Sequence, residues 1–156
     1  MRSNGKKLDF ILLFFLILVI GGVPFGILAY DHLVKSQQTP PGAKEFILTG
    51  SAQRGWLVGE VQAHDIVSLG QKKTQVENPV IEVSRGNDVV LKLRSSDVTH
   101  GFALKAYDIY IPEGIKPGKT VFVSFKADKA GTFIFWCNVY CGDIHQQMKG
   151  TLIVKD

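Results

Sequence analysis

Both cysteines of the chain, one of its four histidines and one of its two methionines fall in "CNVYCGDIHQQM", residues 137–148. Three residues separate Cys137 from Cys141, three more precede His145, and two more precede Met148. Thiolate, imidazole and thioether are soft donors, and together they select copper over magnesium, calcium or manganese. A mononuclear blue-copper site takes one Cys, two His and a weak axial Met. Cys141, His145 and Met148 fill three of those places, and His100 in "DVTHGF" is the obvious upstream imidazole. Cys137 is then surplus to a single ion. Two thiolates on one tight loop can bridge two ions, so two His, two thiolates, a Met and one backbone carbonyl would serve a copper pair.

Other chemistry is open to the same residues. The cysteines can form a disulfide in an oxidising compartment, although so short a loop gains little from a cross-link and the bond gives His145 and Met148 no purpose. Zinc takes Cys2His2 sets, but this is not a zinc-finger spacing. A catalytic thiol with His100 or His145 as base leaves the second Cys and the Met idle. Metal binding accounts for every donor.

Such a site needs a rigid frame. The loop lies between "GTFIFW" and "GTLIV", two of a series of short runs rich in Val, Ile, Phe and Thr. The others are "EFILTG", "VIEV", "VVLKLR", "GFAL", "DIYI" and "TVFVSFKA", with turn signals at Arg85–Asp88, Lys116–Lys119 and Asp128–Gly131 between them. In "TVFVSFKA", Val121, Val123 and Phe125 occupy one face of a period-2 pattern, which predicts a strand with one side in a core. Regularly spaced short strands predict an all-β domain over 45–156, an antiparallel sandwich or barrel. No amphipathic helix of useful length is expected after residue 44. Residues 58–76 read either as a further strand or as a surface excursion.

The N-terminus is different. From Phe10 to Tyr30 twenty-one residues pass without a charge, enough helix to cross a hydrocarbon core of about 30 Å. The run exceeds the apolar region of a signal peptide and lacks a good small-x-small cleavage site, so 10–30 is read as one transmembrane helix, bent at Gly21-Gly22 and Pro24. No cysteine follows it to carry a lipid. Arg2, Lys6 and Lys7 precede it against Asp9 alone, which places residues 1–9 in the cytoplasm and exports the rest. Residues 31–44, including the proline-bearing "SQQTPPGAK", read as a tether. Residues 31–156 carry fifteen Lys and Arg against thirteen Asp and Glu, too even a balance for a nucleic-acid partner.

With "HGF" upstream and "CNVYCGDIHQQM" downstream, the chain resembles the dinuclear copper (CuA) domain of cytochrome c oxidase subunit II. The likeness runs through "NPVIEVSRGNDVVLKLRSSDVTHGFAL" over residues 78–155, and is greatest to short, single-anchor subunits of ba-type oxidases. The resemblance implies a cupredoxin, a Greek-key β-sandwich. It implies that Cys137 and Cys141 bridge both coppers, that His100 and Met148 complete one, and that His145 and the Val139 carbonyl complete the other. It further implies a non-catalytic subunit in the plasma membrane, its domain on the outer, periplasmic side. That subunit takes electrons from a soluble donor, cytochrome c or a blue-copper protein, and passes them to haem in the catalytic subunit I, where oxygen is reduced.

Departures from the pattern are visible. Many relatives carry an acidic residue at the position of Val139 that helps hold magnesium, which valine cannot do, and many have two membrane helices. Of the family's early tryptophans only Trp56, in "AQRGW", remains, to be read as an electron-input residue or as core. Trp136 suggests an aromatic packed under the site rather than an electron conduit, and Asp97 reads either as an acid that orients the ligand loop or as a solvated turn residue. His32 and His64 have no matching partners and are assigned no ligand role. Two further readings keep the site: a tethered CuA carrier serving another acceptor, as the "THGF" element shared with nitrous oxide reductase allows, and a copper-delivery protein, which would need an open, easily stripped site.

Overall fold

Apolar residues run unbroken from Phe10 to Ile20, and a helix carries them. The computed structural model describes residues 3–62 and 76–156 and falls into two units, one ending at Gln38 and one running from Thr39 to Asp156. The first is helical: α1 (Ser3–Ile17), a π-turn (Leu18–Gly22) and α2 (Val23–Gln38). The π-turn ends on Gly21-Gly22, with Val23 between it and Pro24. The disturbance expected there is therefore a change of hydrogen-bond register rather than a break. Asp9–Tyr30 is long and apolar enough to cross a membrane, which fits a single-pass membrane protein. The helix also outlasts the apolar run, correcting the tether expected over 31–44. Asp31 to Gln38 contains no helix breaker, and Thr39, placed before Pro40, is the first residue biased away from helix. Only residues 39–43 connect α2 to the first strand.

The second unit is a sandwich of two sheets. Its strands are β1 (Lys44–Ser51), β2 (Gly55–Val58), β3 (Val80–Ser84), β4 (Asp88–Ser95), β5 (Ala103–Leu104), β6 (Ile109–Tyr110), β7 (Val121–Lys126), β8 (Gly131–Trp136) and β9 (Lys149–Lys155). One sheet has the order β2-β1-β4-β7, the other β3-β9-β8-β5-β6. Two pairings are parallel, β1 with β4 and β3 with β9, where an antiparallel sandwich was expected. After β2 the chain leaves the first sheet, adds β3 to the second and returns as β4, so β4 runs beside β1 in the same direction. β2 is a short hairpin partner of β1 that periodicity could not reveal, while "GFAL" and "DIYI" shrink to two-residue strands. Of residues 58–76, Val58 ends β2, residues 59–62 form a loop, and 63–75, with His64, lie outside the described residues, as does the side chain of His32.

Alternation sets the core. Leu48 of β1 faces Leu93 of β4, and both are fully buried. β9 turns Gly150, Leu152 and Val154 inward, while β7 contributes Val123 with Val121 and Phe125 against the edge of the cluster. Burying a side chain of Leu or Phe size contributes about 1.5–3 kcal/mol, and the cluster continues without a gap to Cys137, Cys141 and Met148. One end of the sandwich therefore holds the chemistry, where β1, β4 and β8 finish and β9 begins.

Candidate metal centre

β8 aims the first sulfur. Its inward residues are Phe133 and Phe135, and the same alternation carries on to Cys137 just beyond the strand. Phe135 stacks on Phe102 with ring centroids 5.4 Å apart, and Trp56 meets Phe102 edge-on at 5.7 Å. These three rings form an apolar floor under the site. The expected aromatic is thus Phe135, and Trp136 faces the opposite side of the sheet, half-buried. Across the ladder Phe135 pairs with Gly150, where any Cβ would collide with the ring.

The four residues of the downstream motif converge. Cys137 Sγ and Cys141 Sγ lie 3.6 Å apart, both buried and both free, well beyond the roughly 2.05 Å of a disulfide. His145 Nδ1 and Met148 Sδ each stand 3.7 Å from Cys141 Sγ. A single 3₁₀ turn, His145–Gln147, brings them there, closed by His145 N–H donating to Gly142 O and Met148 N–H to His145 O. Cys137 N–H donates to Met148 O at 3.1 Å, tying the two ends of the loop together. The Val139 carbonyl lies 3.0 Å from Cys137 Sγ.

His100 stands in the connection from β4 to β5, which crosses from one sheet to the other. Its backbone exchanges two hydrogen bonds with Ile115, its ring is fully buried, and Nε2 is 2.8 Å from Asp97 Oδ1. Nδ1 is buried with no hydrogen-bond partner. A buried imidazole nitrogen left unpaired loses its water without compensation. A ring nitrogen of His100 and the two sulfurs lie within 4.8 Å of one another. His145 lies outside that cluster, so the donors spread along the sulfur pair instead of closing round one point. Glycines permit the approach: Gly101 N–H donates to Cys137 Sγ at 3.2 Å, and a Cβ there would strike Asn138 and Val139. Gly50 of β1 lies directly against the His100 ring.

The model of the cupredoxin-like domain family matches residues 43–154. The chain belongs to this family. This cupredoxin is 39% identical over 79 residues to a cytochrome c oxidase subunit 2 of Thermus thermophilus, covering 51% of this chain and 56% of that one. It is 36% identical over 78 residues to a nitrous-oxide reductase of Ralstonia nicotianae, covering 47% of this chain and 12% of that one. The chain spans about half the length of the oxidase subunits it matches. In fold it resembles the periplasmic domain of subunit II of cytochrome oxidase of Bradyrhizobium japonicum, with a TM-score of 0.52, 23% identity, and coverage of 75% of this chain and 88% of that one.

Electrostatics in this cupredoxin suit a cation between the sulfurs. Burial opposes ionisation of the Cys137 thiol, yet the neighbouring His100 ring and the backbone at Gly101 and Val139 bring it down to about 6. Cys141 is pushed up to about 12 by burial and by the neighbouring Cys137 sulfur. Two sulfurs this close compete for one negative charge, which a bound cation would offset. Burial alone would lower the His100 pKa, but Asp97 and Cys137 raise it overall. Partial desolvation would raise the Asp97 carboxyl, but its bonds from His100, Val98 N–H and Ala52 N–H hold it below the ordinary range. Asp97 thus orients both the ring and the loop, as a carboxylate behind a ligating histidine does.

Six expected donors, from His100, Cys137, Val139, Cys141, His145 and Met148, are brought to one place. Trp56 is not at a surface: it is fully buried, 6.3 Å from the His100 ring, and belongs to the core. Sequence reasoning missed Gly50 and Phe135, whose roles depend on what stands opposite them. Two buried, unlinked sulfurs and an unpartnered buried imidazole nitrogen fit soft-metal ligation.

Proposed function

We propose that this chain is the electron-accepting subunit of a haem–copper respiratory terminal oxidase. A dinuclear CuA centre would be held by Cys137 and Cys141 as shared thiolates, His100 and Met148 on one ion, and His145 with the Val139 carbonyl on the other. Such a copper pair, when bound, supplies a one-electron relay between a soluble donor, cytochrome c or a blue-copper protein, and haem in the catalytic subunit. The observation that carries the reading is the side-by-side, buried sulfur pair with donors distributed along it. The chain's own task is to hold those donors still. The aromatic floor, the Asp97 brace and the strand-pinned loop limit rearrangement on electron transfer, and burial keeps water from the sulfurs. Oxygen reduction belongs to subunit I, and this subunit contributes no catalytic residue. The helix at 10–30 anchors it in the plasma membrane with residues 1–9 in the cytoplasm and the domain on the outer face.

The likeness to nitrous-oxide reductase supports a second reading, a tethered CuA carrier serving another acceptor. A buried, braced site speaks against a copper-delivery protein. The test is copper content per chain and electron paramagnetic resonance of the purified full chain. Hyperfine splitting from two equivalent copper nuclei is expected; one copper with splitting from a single nucleus would overturn the dinuclear reading. Co-purification in mild detergent with a haem-bearing, multi-helix partner separates the oxidase subunit from the carrier.

A further inference from the structure

Met148 is the weakest donor of the proposed set, and its sulfur has no strong bond of its own to hold it in place. Its side chain is fully buried, and its backbone is held through the three successive carbonyls of Gln147, Met148 and Lys149. The middle one accepts from Cys137 N–H at 3.1 Å. The outer two face "NPV", residues 78–80. With its NH2 turned towards them, the Asn78 side chain donates to Gln147 O at 3.2 Å and to Lys149 O at 3.1 Å. The opposite orientation would set the amide oxygen against two acceptors.

The ladder explains why a side chain is needed here. β3 and β9 pair in parallel with Val80 opposite Thr151, and Thr151 N–H donates to Pro79 O at 2.8 Å. The next rung towards the site would take a backbone N–H from residue 79 to Lys149 O. Proline has none. The Asn78 amide supplies the missing donor and reaches across the turn to Gln147 as well. Its own backbone is held on both sides: Glu77 N–H donates to Arg54 O at 2.8 Å, Glu77 bridges Gly55, and Pro79 O is taken by Thr151. On the outer flank the turn opens onto a cleft of about 400 Å³ lined by Asn78, Gln146 and Thr151 among others, so close side-chain contact does not confine it there.

We infer that Asn78 is a positioning residue for Met148, an amide standing in for the proline's absent N–H so that the thioether is held against Cys141. The copper part of this inference rests on the function proposed above; the structural part does not. The test uses the full chain in detergent, with Asn78→Ala, the double variant Asn78→Ala/Pro79→Ala, which returns a backbone donor to Lys149 O, and Val83→Ala as a core-truncation control. In the metal-free protein, amide hydrogen exchange at Cys137 and Met148 is expected to rise about tenfold more than at Leu91 in Asn78→Ala. The double variant should recover part of that protection, and Val83→Ala should show no such bias. In the copper-loaded protein, Asn78→Ala should shift the reduction potential and the copper hyperfine splitting. Exchange that rises equally at all three amides, or a loaded variant with the parent's potential and spectrum, overturns the inference. A parent that binds no copper pair counts against the proposed function, and the exchange measurements then decide the role of Asn78.

Discussion

Replacing Gly50 with alanine would press a methyl group into the site from the strand behind it, without touching a single donor atom. The new Cβ would lie 2.7 Å from His100 Cδ2, 2.8 Å from Cγ and 3.1 Å from Met148 Cε, whereas ordinary contact begins at 3.4 Å. Something must move by about 0.7 Å. β1 is held between β2 and β4, and Gly50 O accepts from both Ser96 N–H (3.0 Å) and Ser96 Oγ (2.9 Å). The imidazole is therefore the part that yields, and its 2.8 Å bond to Asp97 stretches past the roughly 3.2 Å limit of a good hydrogen bond. Overpacking of this kind costs about 1–3 kcal/mol. For a domain of this size that lowers the melting temperature by about 4–12 °C. The assay is thermal unfolding of the metal-free chain, with copper content and the paramagnetic spectrum of the loaded chain. Lower stability with an altered spectrum is expected. A variant with the parent's melting temperature and spectrum would refute the claim that β1 forms the wall behind His100.

Three further outcomes are expected. Asp97→Ala removes the acceptor for Ala52 N–H, Val98 N–H and His100 Nε2, so urea unfolding should show a loss of about 1.5–3 kcal/mol and copper should pass faster to a chelator, with Asp97→Asn intermediate in both. Cys137→Ser and Cys141→Ser should each reduce copper binding to one ion or none by metal analysis; parental copper content and spectrum in both would end the shared-thiolate reading. Trp56→Phe should leave the bimolecular rate of reduction by cytochrome c unchanged in stopped flow, because Trp56 is fully buried, while lowering thermal stability.

The parts of the site legible in advance were those whose chemistry is local. Cys137, Cys141, His145 and Met148 announce themselves by type and spacing, and His100 by its place after a strand. The strands around them alternate visibly because each has one face in a core. What escaped was relational. Trp136 and Phe135 are adjacent aromatics, and only the strand's phase decides which of them lies under the sulfurs. The parallel pairings of β1 with β4 and β3 with β9 come from the order in which the chain changes sheets, which no local pattern records.

The sequence by itself determined a soft-donor set, a β-rich domain and an apolar helix, because donor chemistry, side-chain period and hydrophobic length are properties of consecutive residues. Tertiary structure alone decided that Gly50 and Gly101 must lack side chains, that Asn78 completes a rung which Pro79 leaves open, and that Trp56 is buried. Each of those depends on an atom contributed by a distant part of the chain, and contact across a fold is set by distances that a linear order does not contain.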